Sequence, residues 1–166
     1  MEKPTIKTLK QLKKTTYRPK SIQEELAQNL REKIKKGEPY FDGLIGYENT
    51  VIPDLERAIL SGHNINLLGL RGQAKTRLAR QMTELLDEWI PVVTGSEIND
   101  DPLQPISRWA KEIIDEEGDN TPVAWMHQNE RFFEKLATPD VTVADLIGDV
   151  DPIKAATLKL SYADEK

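Results

Sequence analysis

Residues 65–76 decide the expected fold of this chain, and they read Ile-Asn-Leu-Leu-Gly-Leu-Arg-Gly-Gln-Ala-Lys-Thr. The first four form a short, mainly apolar run bounded by Gly62 and Gly69, which is typical of a buried strand. From Lys75 to about Glu88 the chain has helical periodicity, with an inner face formed by Leu78, Met82, Leu85 and Leu86. A strand, a glycine-containing turn and a helix in this order predict a phosphate-binding loop.

The loop itself, residues 69–76, carries the groups that phosphate binding needs. Glycines let the backbone N–H groups wrap a phosphate without side-chain collision. Lys75 is a flexible cation for the β- and γ-phosphates, and the Thr76 hydroxyl is a ligand for Mg²⁺. We therefore predict that the chain binds ATP with Mg²⁺. The predicted contacts come from Gly69, Leu70, Arg71, Gly72, Gln73, Ala74, Lys75, Thr76 and Arg77.

Ala74 departs from the usual pattern, because such loops carry a glycine at this position. If the position needs a positive φ, alanine costs on the order of 1–2 kcal/mol there. Two alternatives to a working loop stay open. The lysine could occur by chance in an ordinary strand–turn–helix, or the loop could belong to a non-catalytic interaction module and have decayed.

Composition excludes several classes of protein and of functional site. A chain of 166 residues with 38% apolar and 31% charged residues fits one globular domain. The absence of cysteine excludes disulfides and thiol chemistry, and two histidines, His63 and His127, argue against a histidine-rich metal centre. No apolar run in the sequence has the length of a signal peptide core or a membrane span. We therefore expect a cytoplasmic protein with no membrane partner.

The charge is distributed unevenly. Residues 1–36 hold eleven Lys and Arg against four acidic residues, whereas the rest of the chain holds twelve against twenty-four. We divide the chain into an N-terminal helical arm, residues 1–37, and a body, residues 38–166. A basic arm can contact nucleic acid or an acidic neighbouring subunit, or it can be a solvated helical face. Nucleic acid is disfavoured, because the arm has only one aromatic residue, Tyr17, and no arginine cluster.

Local signals place further elements. In the arm, Ser21 and Glu24 form a capping box, and an amphipathic helix is expected to follow and to stop at Gly37. Further helices are predicted over residues 49–61 and 106–117. A short strand is predicted at residues 91–93. Residues 122–126 and 131–136 are interpreted as two strands that pair with each other.

Two longer stretches carry a resemblance to a known family. Residues 41–48 read Phe-Asp-Gly-Leu-Ile-Gly-Tyr-Glu, and residues 62–72 read Gly-His-Asn-Ile-Asn-Leu-Leu-Gly-Leu-Arg-Gly. Together they resemble the opening of an AAA+ ATPase module, and within it the MoxR and magnesium-chelatase I-subunit branch. Residues 95–102 and 144–151 are similar to two later segments of that branch.

The resemblance implies an α/β P-loop core, with a partial parallel sheet, flanking helices and the N-terminal arm. It also implies that Leu44, Ile45 and Gly46 lie near the adenine. The full-length protein would be an ATPase in a ring-shaped homo-oligomer, which remodels a protein client of unknown identity or inserts a metal or cofactor into it.

One motif of that family is missing from this sequence. The family's Walker B motif, four apolar residues followed by Asp-Glu, has no match here. We expect that the chain is a fragment that stops before this motif and is inactive alone. A small-molecule or nucleotide kinase is one rival, but such an enzyme needs an arginine-rich lid, and residues 137–166 contain no arginine. Asp100, Asp101, Asp149 and Asp151 are weaker candidates for a cation site.

Overall fold

A computed structural model describes residues 3–136, 138–149 and 152–158. Its helices and strands are α1 (Leu9–Leu12), α2 (Ile22–Lys36), α3 (Val51–Leu60), α4 (Lys75–Gln81), β1 (Trp89–Val93), α5 (Arg108–Glu117), β2 (Val123–His127), α6 (Ala144–Ile147) and α7 (Pro152–Leu158). Short 3₁₀ turns cover Met82–Leu85, Gly118–Asn120 and Gln128–Glu130. In these ranges no helix is both long enough and apolar enough to cross a membrane.

The capping box predicted for α2 is confirmed. The Ser21 hydroxyl accepts a hydrogen bond from the Glu24 N–H at 3.2 Å, and the Glu24 carboxylate accepts one from the Ser21 N–H at 2.8 Å. The helix ends at Gly37, which has a φ of 66° and donates its N–H to the Ile34 carbonyl. Both ends of α2 are therefore set by local sequence.

Two apolar clusters hold the described residues together. The larger one joins α2, α3, α4 and the segment before α3, through Leu30, Phe41, Leu44, Leu55, Ile59, Leu78 and Leu85. The smaller one joins α1 to β2 through Leu9, Leu12 and Val123. Residues of the basic arm therefore contribute to both clusters, because their apolar stripes are covered by the body.

The helices predicted at residues 49–61 and 106–117 are confirmed as α3 and α5. The helix after the loop is shorter than expected, since α4 ends at Gln81 and continues only as a 3₁₀ turn. The Thr83 hydroxyl donates to the Arg80 carbonyl. Such side-chain bonds compete with regular helical hydrogen bonding at the end of a helix.

The sheet consists of β1 and β2, which pair antiparallel with Trp89 opposite His127 and Val93 opposite Val123. The strand predicted at residues 91–93 is confirmed and extends back to Trp89. The predicted pairing of residues 122–126 with 131–136 is wrong. A 3₁₀ turn follows β2, and Arg131 then turns inward to a buried carboxylate, so no returning strand forms.

The parallel sheet implied by the resemblance is not seen in the described ranges, which contain only this antiparallel pair. The buried strand predicted at residues 65–68 is wrong: Ile65 and Leu67 are half-buried against the larger cluster, whereas Leu68 is 87% exposed. They belong to no ladder, because no described strand lies beside them. The P-loop fold therefore stays a prediction.

Candidate phosphate-binding loop

The backbone of the loop has the curvature that an anion cradle requires. Gly72 has a φ of 81°, and Ala74 has a φ of 49° and a ψ of 16°, which is the left-handed helical region. Alternation of left- and right-handed residues turns successive N–H groups toward one side of a loop. The condition stated for Ala74 is met, so this alanine occupies a conformation that favours glycine.

The N–H groups of this loop are largely free. The Leu70 N–H donates to Gln73 Oε1 at 2.8 Å, so the Gln73 side chain closes the loop from within. Across the described ranges, the N–H groups of residues 71–76 donate to no other protein group. A run of unpaired donors costs free energy unless water or an anion accepts from them. The backbone is thus able to bind an anionic ligand.

Lys75 lies across the loop that precedes it. Its ammonium donates to the Gly69 carbonyl at 2.9 Å and also to the Leu70 carbonyl. An ammonium carries three donors, so one remains for a phosphate oxygen. The Thr76 side chain is exposed and has no protein partner in the described part of the chain. The sequence order therefore places the cation and the hydroxyl at the end of the free N–H groups.

The predicted adenine segment is tied to α4. The Asp42 carbonyl accepts hydrogen bonds from Gln81 Nε2 at 2.8 Å and from Arg77 Nη2 at 3.3 Å. A Cβ atom at Gly43 would lie 2.5 Å from Arg77 Nη2, so the small residue lets the guanidinium approach the backbone. These contacts hold residues 42–43 beside the helix that begins with Lys75.

Within this segment the two apolar side chains take different positions. Leu44 is buried in the larger cluster, whereas Ile45 is 90% exposed. The Gly46 N–H donates to a Glu48 carboxylate oxygen at 2.8 Å. Ile45 is therefore the side chain available to a flat apolar ring, and Leu44 fixes the segment to the core. Arg71 is exposed at the tip of the loop. Arg77, in contrast, is engaged with Asp42 and Gly43.

Asp100 is engaged in a structural network rather than in cation binding. Its carboxylate accepts from the hydroxyls of Ser96 and Ser107, at 2.7 and 2.6 Å, and from the N–H groups of Ile106 and Ser107. Burial raises the pKa of the Asp100 carboxyl, but these hydrogen bonds outweigh it and lower the pKa from 3.8 to about 2. Asp101 accepts from the Tyr17 hydroxyl and from the Leu103 N–H.

The other candidates are not assembled into a metal site. No group of three or more acidic or histidine residues that could hold a metal ion occurs within the described ranges. His127 accepts a hydrogen bond from the Asn129 N–H through Nδ1. Its ring packs edge-on against the Trp89 ring, with 4.8 Å between the ring centroids. Asp151 lies outside the described residues.

One buried ion pair gave no signal in the sequence. Glu25 on α2 is 2% exposed and accepts two hydrogen bonds of 2.6 Å from the Arg131 guanidinium. The Asp87 N–H donates to the same carboxylate. A second pair joins Arg80 on α4 to Glu134 at 2.7 Å. These partners are too far apart in sequence for any local pattern to connect them, and they fix the chain after β2 to both α2 and α4.

No protein-family model, no curated protein and no solved structure matches this chain.

Proposed function

We propose that this chain is the ATP-binding part of an AAA+ ATPase of the MoxR and magnesium-chelatase I-subunit type. The observation that carries the proposal is the loop at residues 69–76, in which free N–H groups precede a lysine folded across the same loop. The left-handed backbone at Gly72 and Ala74 supports it, because an ordinary turn into a helix does not need both.

ATP fits the donors that the loop offers. The N–H groups of residues 71–76 would bind the phosphates, and the third donor of Lys75 would bind a β- or γ-phosphate oxygen. The Thr76 hydroxyl would hold Mg²⁺, which supplies charge neutralisation of the phosphates when bound. Ile45, which is exposed on the segment beside α4, would contact the adenine. The Arg71 side chain, which is exposed, would lie beside the phosphates.

The rest of the proposal concerns the ATPase to which this chain would belong. There, ATP hydrolysis in a homo-oligomeric ring would drive remodelling of a protein client or insertion of a metal or cofactor. The chain itself is proposed as a binder of ATP, because the acidic residues that activate water in this family have no match in it. Turnover by the isolated chain at rates on the order of 1 s⁻¹ would contradict this assignment.

A non-catalytic interaction module is the second candidate, and Ala74 is the observation that favours it. Alanine in the left-handed region is strained relative to glycine, as expected for a loop no longer selected for nucleotide binding. The free donors and the position of Lys75 favour the ATP-binding proposal over this one.

Calorimetric titration with ATP and Mg²⁺ tests the proposal. We expect weak binding, with a dissociation constant on the order of 1 mM, and a loss of at least tenfold in Lys75→Ala. Lys111→Ala is the control, since Lys111 is an exposed lysine on α5. Equal affinity in wild type and Lys75→Ala, with unchanged circular dichroism, would exclude a role of the loop in binding.

A further inference from the structure

A cavity of about 840 Å³ lies on the arm, between the linker at residues 16–20, α2 and the end of α3. Its volume is within the range of small-molecule sites. None of its lining residues belongs to the phosphate loop or to the segment at residues 42–46. The cavity is therefore separate from the proposed ATP site.

Charged residues line this cavity, and the negative ones already have partners. Glu24 is engaged with Ser21 in the capping box of α2. Asp87 forms an ion pair of 2.8 Å with Lys20 and also accepts a hydrogen bond from Asn29. Three cations line the cavity against these two carboxylates, so its lining carries a net charge of +1.

Two lining cations, in contrast, have no protein partner. The guanidinium groups of Arg18 and Arg31 make no hydrogen bond or ion pair with any other residue that the structure describes. A guanidinium presents a rigid fork of donors that matches the two oxygens of a carboxylate or phosphate. Two such forks, on residues that line one cavity, favour an anion with more than one charge.

The backbone holds both arginines in place. The linker is anchored on each side of Arg18, by the hydrogen bond from the Tyr17 hydroxyl to Asp101 and by the ion pair of Lys20 with Asp87. Arg31 lies on α2, whose two ends are both capped. A ligand that binds here would order two side chains rather than a loop, which limits the entropic cost of binding.

We propose that this cavity is a second ligand site, which binds a small multivalent oxyanion between the guanidinium groups of Arg18 and Arg31. The apolar side chains of Ala27 and Leu60 line it as well, so a short carbon skeleton is accommodated. Carboxylate and phosphate groups share the required chemistry, and the two are distinguished by using citrate and pyrophosphate as probes.

Calorimetry on the full chain carrying Lys75→Ala, which removes the phosphate-loop lysine, tests the proposal at low ionic strength. We expect binding of citrate, pyrophosphate or both, and the tighter of the two identifies a carboxylate or a phosphate ligand. Arg18→Gln and Arg31→Gln should each weaken that binding at least threefold, and the double substitution at least tenfold. Circular dichroism verifies that the variants remain folded.

The matched control is Lys14→Gln with Lys35→Gln, which removes the same charge from exposed positions of the arm outside the cavity. This control should change the affinity less than twofold. Equal weakening of binding by both double variants would mean that the overall charge of the arm, and not this cavity, attracts the probe. That result would overturn the proposed site. If neither probe binds at concentrations up to about 10 mM, the proposed site is overturned as well.

Discussion

Replacement of Ala74 by glycine should stabilise this protein, although glycine in the interior of a helix is ordinarily unfavourable. Ala74 has a φ of 49°, where a Cβ atom costs on the order of 1–2 kcal/mol and glycine costs nothing. The substitution also gives the unfolded chain more freedom, which opposes the gain by roughly 0.5–1 kcal/mol. We therefore expect a net gain of about 0.5–1 kcal/mol in the free energy of unfolding.

Urea denaturation measures this difference, and α4 provides its control. Ala79 lies inside α4, the helix that follows Ala74, and has an ordinary helical conformation. Ala79→Gly should therefore cost about 1 kcal/mol. Opposite signs for the same chemical change, a few residues apart, isolate the backbone conformation as the cause. A loss of stability in Ala74→Gly as large as that in Ala79→Gly would refute the left-handed assignment.

The same substitution bears on nucleotide binding. The net of the two opposing terms is smaller than the 1.4 kcal/mol that changes an affinity tenfold, so Ala74→Gly should alter ATP affinity by less than about tenfold. A gain of a hundredfold or more would mean that the alanine disables the loop. The non-catalytic interaction module would then become the better interpretation.

Two further predictions concern buried carboxylates. Asp100→Asn should lower the free energy of unfolding by about 2 kcal/mol near pH 6, because the pKa of Asp100 is lowered from 3.8 to about 2 in the folded state. That contribution is present above the unfolded pKa and is lost as the pH falls through 2. The free energies of unfolding of the two proteins should therefore converge in acid, and urea titrations from pH 6 to pH 2 can check this. Arg131→Met should cost about 3–5 kcal/mol, since it leaves the Glu25 carboxylate buried without its cation. Glu25→Gln combined with Arg131→Met should recover part of that loss, and a single-variant cost below about 1 kcal/mol would contradict the pairing.

The elements that the sequence predicted correctly are those set by neighbours in the chain. Ser21 and Glu24 cap α2 because they are three residues apart, and Gly37 ends it because its left-handed φ needs no distant partner. The start of α4 at Lys75 follows in the same way from the loop before it. For these elements, local hydrogen bonding decides the structure.

What the sequence did not predict depends on distant residues. Two apolar segments after β1 have similar strand propensity, so pattern alone could not show that β2 pairs with β1. Arg131 and Glu134 have no local feature that distinguishes them from solvated charges, although they bind Glu25 on α2 and Arg80 on α4. At the candidate site, the residue types indicated the phosphate loop, whereas the attachment of Asp42 to α4 required the fold.

Amide chemical shifts of the ¹⁵N-labelled chain, followed during a titration with ATP and Mg²⁺, show directly whether ATP binds at the phosphate loop. We expect the largest shifts at the N–H groups of residues 70–76, smaller ones at Ile45 and Gly46, and none in β1 and β2. The same titration of Lys75→Ala should abolish the shifts at residues 70–76. Shifts confined to other surfaces, or none at about 10 mM ATP, would contradict the assignment of this loop as the ATP site.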